Sequence, residues 1–189
     1  MCTSSGCSSF RAAALPTVFT IGHSTHEADA FAELLARYEV QELADVRRHP
    51  GSRRVPWTNA GEIEGALPVA YRHFPGLGGR RRPAVGSPNG FWTNDAFRGY
   101  ADNMASEEFA TELERLIELA RERTLAVMCA EGLWWRCHRR LLADALVVRG
   151  FEVCHIDPRG GAEPHRLTEG AVVDGTRIVY PPTQEQLGV

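Results

Sequence analysis

Between residues 17 and 156 short apolar runs alternate with amphipathic stretches, the pattern of strands buried on both faces and separated by helices. The first run, VFTIG, predicts a buried strand that ends in the polar cluster GHST, with Thr25 capping the helix that follows. In that helix Phe31, Leu34, Leu35 and Tyr38 recur at i, i+3, i+4 and i+7 and form one apolar face. QELADV predicts a second strand and VAYRHF a third, with the turn-rich GSRRVPWTNAGE and a short helix around Ile63 to Leu67 between them; GLGGRRRP reads as loop. Residues 95 to 123 predict the longest helical stretch, broken near Ser106, which can cap a second segment carrying Glu107 and Glu108 in its first turn. Phe109, Leu113, Leu116, Ile117 and Ala120 are its buried stripe. TLAVMCA is the clearest buried strand, WWRCHRRLLADALVVRG predicts a turn and a helix that stops at Gly150, and FEVCHI predicts the next strand. In AVVDGTRIVY, Asp174-Gly175 separates two β-prone runs and predicts a hairpin that adds an antiparallel edge piece. The order implies an α/β fold: a single three-layer domain over residues 17–189, its sheet mostly parallel with helices on both faces, closed by a C-terminal β-hairpin. Residues 1–16 read as a flexible tail too weakly apolar for a secretory signal.

A chain of 189 residues, 43% apolar, is long enough for one core, and no apolar run approaches the length of a membrane span. Every one of the 21 basic residues is Arg, which excludes Walker-type phosphate loops, pyridoxal chemistry and lysine Schiff bases. The five Cys lack CxxC spacing and fit reduced thiols in a cytoplasm. The net charge of −3 conceals a sorting: residues 47 to 82 hold eight Arg against two acids. Arg47, Arg48, Arg53, Arg54, Arg80, Arg81 and Arg82, joined by Arg136 and Arg139, can grip phosphates. Trp57, Tyr71, Trp92, Trp134 and Trp135 offer stacking surfaces, a mixture that fits nucleic acid, DNA in particular. The alternative is that these arginines pair with surface acids.

In a parallel sheet ligands bind beyond the carboxyl ends of the strands, which directs attention to the segments leaving them. Asp45, at a strand end before Arg47 and Arg48, is a candidate catalytic carboxylate or a structural ion-pair partner. Glu131, past the most apolar strand, is expected to be partly desolvated, or else a helix cap. His23 lies where it can hydrogen-bond a ligand. Cys137 and His138 fall near a helix start, a position that lowers a thiol pKa. Cys129 to Arg136 has six intervening residues where the loop of cysteine phosphatases needs five, so a phosphate cradle would not close. Zinc held by Cys129, Cys137, His138, Cys154 and His155 is disfavoured by spacing. No metal and no cofactor is expected.

The segments TIGHST, ADVRRHPGSRR, YRHFPGLGGRRRP, FRGYADNM and MCAE…CHRRLLAD…G, in this order over Thr17 to Ile156, together resemble the bacterial family called domain of unknown function 488. The resemblance implies a compact α/β domain and a shared polar set onto which His23, Ser24, Asp45, Arg47, Arg53, Gly78, Gly79, Cys129, Glu131, Cys137, His138 and Arg139 map. Between Glu131 and Cys137 the family is more polar, whereas this chain has GLWWR, which implies an altered pocket.

The leading expectation is a monofunctional DNA glycosylase that hydrolyses the N-glycosidic bond of a flipped, modified base. Its oxocarbenium-like transition state calls for a carboxylate near the sugar, donors on the departing base and aromatic walls. Asp45, Glu131 and His23 are the catalytic candidates. The base pocket would be drawn from Ser24, Trp57, Tyr71, Trp92, Trp134, Trp135, Cys137 and His138. Without lysine the enzyme would leave an intact abasic site. The alternatives are a cysteine-dependent thiol or phosphate enzyme centred on Cys137 or Cys129, and a non-catalytic nucleic-acid or nucleotide binding module.

Overall fold

The computed structural model describes residues 15–187, so the expected tail lies outside the described residues except for Leu15 and Pro16. Six strands form one sheet in the order β3-β2-β4-β1-β5-β6. They are β1 Thr17–Gly22, β2 Glu42–Asp45, β3 Ala70–His73, β4 Leu125–Cys129, β5 Glu152–Ile156 and β6 Ala162–Pro164. The first five are parallel; β6 alone runs antiparallel, on β5. Strand β4 is buried along its whole length, as its unbroken apolar run requires of a central parallel strand.

The helices that matter to the site are α1 Ala28–Arg37, α2 Ile63–Ala66, α3 Asp95–Asn103, α4 Glu107–Glu122 and α5 Arg139–Val148. Alternate residues of β4 divide between two cores. Ala126 and Met128 pack with Phe31, Leu34 and Leu35 of α1 and Ile63 of α2. Leu125, Val127 and Cys129 pack with Phe109, Leu113, Leu116 and Ile117 of α4 and Leu141, Leu142 and Leu146 of α5. Helices therefore cover both faces, as the alternation of elements predicts. The break in the long helical stretch falls where expected: Ser106 accepts from the Phe109 N–H at 3.2 Å and starts α4. Helix α5 ends at Val148, and Gly150 follows with a φ of +82°.

Two expectations are corrected. Thr25 does not cap α1: the chain turns first, His26 N–H donating to the His23 carbonyl, and the helix begins after Glu27 without a side-chain cap. The predicted hairpin forms, as β7 Val172–Asp174 and β8 Arg177–Val179, but as a separate two-stranded sheet. The edge position is taken by β6, which the sequence reading missed. The segment around the hairpin is instead anchored to α5 through buried Asp144, which accepts from the Thr168 N–H at 2.8 Å and the Tyr180 hydroxyl at 2.7 Å. His165 Nε2 lies 2.8 Å from the same carboxylate.

Topology fixes where a ligand can enter. From β1 the chain turns to α1 on one face and goes on to β2; from β4 it turns to α5 on the other face and goes on to β5. The loops leaving these adjacent strands diverge, and a crevice opens between them at the carboxyl rim. No helix among the described residues is long and apolar enough to cross a membrane.

Candidate active site

A cleft of about 520 Å³ lies at that rim, lined by His23 after β1, Arg47 to His49 with Gly51 and Ser52 after β2, Gly79 and Arg80 after β3, and residues 129–131 and 136–138 around the β4 to α5 turn. Asn94, Ala96 and Phe97 at the start of α3 complete it. Glu131 is the one carboxylate among these residues. Glycine lets the walls meet. A Cβ on Gly22 would overlap the Glu131 carbonyl, and one on Gly79 would come 2.7 Å from His138 Nδ1. Arg80 adopts a φ of +60° and Ser24 one of +48°, two non-glycine residues in the left-handed region on loops flanking the cleft.

Asp45 lies behind the wall, fully buried. Its carboxylate accepts from the Arg47 backbone N–H and Nε at 2.9 Å, from Arg47 Nη2 at 2.6 Å and from the Tyr71 hydroxyl at 2.9 Å. This is a buried ion pair, and the Asp45 carboxylate does not line the cleft. Arg47 Nη2 also donates to the Thr58 carbonyl at 2.7 Å, and Nη1 donates to His23 Nε2 at 3.2 Å. His23 must then carry its proton on Nδ1, 3.1 Å from the Ser24 carbonyl. Burial and the neighbouring Arg47 lower its pKa from 6.5 to about 4, so it is neutral at pH 7. Both ring nitrogens are occupied; His23 locks the wall.

The floor is built of thiols. Cys129 Sγ and Cys137 Sγ lie 2.9 Å apart, both as free thiols. His138 Nδ1 is 3.4 Å from Cys137 Sγ, and Nε2 is 3.2 Å from the Val46 carbonyl, which requires the proton on Nε2 and turns the Nδ1 lone pair toward Cys137. Burial holds His138 below its ordinary pKa, so the ring is a neutral acceptor. Arg139, the first residue of α5, sends its backbone N–H to Cys137 Sγ at 3.5 Å. Its guanidinium is fully buried, donates to the Glu131 carbonyl and lies 3.4 Å from Thr20 Oγ1; it has no carboxylate partner among the described residues. A buried cation of this kind calls for an anion. For Cys137, burial works against ionisation, but the Cys129 S–H bond and the Arg139 charge outweigh it and lower the thiol from 9.0 to about 6. Burial pushes Cys129 well up and keeps it a donor. The two thiols are thus polarised in opposite senses.

The remaining candidates separate into three groups. Arg48, Arg80 and Arg136 are exposed on the cleft wall, and no carboxylate of the described residues lies within ion-pair distance of them. Arg53, Arg54 and Arg82 are exposed but do not line the cleft, while Arg81 is turned onto the Gly76 and Gly78 carbonyls and Glu108. The tryptophans expected to wall a base pocket do not line the cleft. Trp57 donates to the His26 carbonyl at 2.9 Å and packs on Phe31; Trp92 lies in the core, stacked on Phe97. Trp134 stacks on His155 at 4.0 Å with Trp135 against its edge. Tyr71 is spent on Asp45. Ser24 faces Gly132, where an added Cβ would come 3.3 Å from the Ser24 Oγ. Glu131 is exposed rather than desolvated, its Oε1 accepting the Leu133 N–H. Sequence reasoning missed His49, Asn94 and Phe97; His49 sits within the Arg-rich run, where counting arginines concealed it.

Histidines held neutral by burial make stability depend on pH. His23 and His155 have native pKa values of about 4 and about 2, against 6.5 in the unfolded chain, with burial the main cause for both. Below pH 6.5 the unfolded state binds protons that the native state refuses, so stability falls as pH falls, by about 1.4 kcal/mol per pH unit for each histidine. Urea unfolding at pH 7 and pH 5 is expected to show this loss; equal stability at the two values would contradict the assignment.

No curated protein and no solved structure matches the chain. The family model described as domain of unknown function DUF488 matches residues 27–146, from the start of α1 through most of α5, and so takes in the cleft walls except His23. The match covers more than half of the sequence, and the chain belongs to the DUF488 family.

Proposed function

We propose that the protein is an enzyme of the nucleophilic-thiol class, in which Cys137 attacks an anionic substrate held by Arg48, Arg80 and Arg136. The observation that carries this reading is the Cys137 environment: a thiol in contact with Cys129, His138 and the first turn of α5, opening on a cleft whose exposed arginines have no acidic partner. Phosphate transfer on a Cys129 loop is disfavoured, because the Glu131, Arg136 and Cys137 N–H groups are already bonded within the turn. The test compares carboxymethylation of Cys137 by iodoacetate with alkylation by neutral iodoacetamide, each normalised to free cysteine. The anionic reagent is expected to be favoured by about tenfold at low salt, and the preference to vanish in Arg48→Ala/Arg80→Ala/Arg136→Ala. Equal reagent preference in the native protein would contradict the reading.

Hydrolysis of an N-glycosidic bond in DNA is the second reading, favoured by Glu131, the one acid lining a cationic cleft that fits phosphates. In this case free base is released from modified DNA by Cys137→Ser protein and not by Glu131→Gln. Under the thiol reading neither protein releases base, and Glu131→Gln keeps the iodoacetate preference at Cys137.

A further inference from the structure

The cleft holds two thiols where nucleophilic attack requires one. Cys129, at the end of β4, is 2% exposed, and Cys137, at the mouth of α5, is 6% exposed. Their sulfurs are 2.9 Å apart, so closing to a disulfide length of about 2.05 Å needs a shift of under about 1 Å. No other side chain separates them, and both open on the same cleft. An acyl or phosphoryl enzyme would use only one of the two thiols, with His138 Nδ1 beside it to activate the water that releases the intermediate. A second thiol in contact with the first releases a different intermediate, a mixed disulfide.

We propose that Cys129 and Cys137 are a dithiol–disulfide couple and that the cleft reduces an anionic disulfide. The inference rests on Cys137 being the nucleophile, as proposed above, and names the reaction. In the first step the Cys137 thiolate attacks one sulfur of the substrate; a Cys137–substrate S–S bond forms, the substrate S–S bond breaks and one substrate thiolate leaves. In the second step Cys129 gives up its proton and attacks Cys137 Sγ; the internal S–S bond forms, the mixed disulfide breaks, and the second substrate sulfur departs as a thiolate that takes up this proton. Two electrons move from the protein sulfurs to the substrate. An external thiol must then reduce the Cys129–Cys137 bond. The Nδ1 lone pair of His138, 3.4 Å from Cys137 Sγ, can relay the Cys129 proton to the departing thiolate in the second step. Arg48, Arg80 and Arg136 select negative charge on the substrate, and nothing on the lining except Glu131 opposes it.

The test uses the full reduced chain with three disulfides: glutathione disulfide, which is anionic, hydroxyethyl disulfide, which is neutral, and cystamine, which is cationic. Peptide mass analysis follows an acid quench. The expected product is a Cys129–Cys137 linkage, formed at least about tenfold faster with glutathione disulfide than with cystamine at low salt. Cys129→Ser protein is expected to stall with glutathione on Cys137. Native protein that accumulates glutathionylated Cys137 and never forms the internal bond would overturn the couple while leaving the nucleophile in place. Cystamine reacting as fast as glutathione disulfide would overturn the substrate class. Cys137 inert to all three disulfides and to iodoacetamide would overturn the thiol reading itself.

Discussion

Replacing Asp45 with Ala is expected to cost about 3–5 kcal/mol of stability, a drop in melting temperature on the order of 10 °C for a chain of this size. The carboxylate is fully buried and receives Arg47 through its backbone N–H, Nε and Nη2, together with the Tyr71 hydroxyl. Removing it leaves the Arg47 guanidinium charged, nearly buried and without a carboxylate, while the Tyr71 hydroxyl loses its acceptor. The effect comes from the uncompensated cation, so Asp45→Ala/Arg47→Leu should recover much of the loss. An exposed pair such as Arg98 with Asp95 provides the contrast: Asp95→Ala should change stability by less than about 1 kcal/mol. Thermal melts of the three variants check the order. Asp45→Ala protein as stable as the native chain would contradict the account of the wall.

Replacing Cys129 with Ala is the second large effect. Cys137 is buried, and burial alone would raise its pKa; the S–H bond from Cys129 is the foremost influence that lowers it, followed by Arg139. With the donor gone, the midpoint of Cys137 alkylation should rise from about 6 toward or beyond the ordinary 9.0. At pH 7 the thiolate fraction, and with it the alkylation rate, should fall by roughly tenfold to a hundredfold. Cys129→Ser retains an O–H donor at the same position and should keep a low midpoint. An unchanged midpoint in Cys129→Ala would assign the whole effect to Arg139 and the helix start.

The mostly apolar runs locate β1, β4 and β5 and the two-sided helical cover, because burial of parallel strands writes itself as apolar sequence, whereas β2 (ELAD) and the half-exposed edge strand β3 (AYRH) carry charged residues and are legible only as short stretches between turn-rich segments. Ser106 was legible because a cap is a local hydrogen bond. Strand β6 was not: Ala162–Pro164 has neither an apolar run nor β-prone residues and is a strand only because β5 offers an edge. The gathering of Arg48, Arg80 and Arg136 followed from their places after parallel strands, which a topology-level argument can reach. The division of labour between carboxylates could not be read in the same way. Asp45 ends a strand and Glu131 follows one, and only packing decides that Arg47 folds back onto the first while the second stays exposed. The tryptophans misled for a related reason. Trp57, Trp92 and Trp134 look like stacking surfaces in a cationic sequence, but each finds a ring inside the protein. Cys137 with His138 was visible as a thiol near a helix start; its contact with Cys129, eight residues earlier, depends on the shape of the turn between them.

The pH dependence of Cys137 alkylation by iodoacetamide, followed on its own peptide in the native protein, bears most directly on the whole account. A rate rising through a midpoint near pH 6 is the predicted result. A midpoint at or above the ordinary thiol value of 9.0 would show that burial prevails over Cys129 and Arg139, and the cleft would then lack the nucleophile on which its chemistry is built.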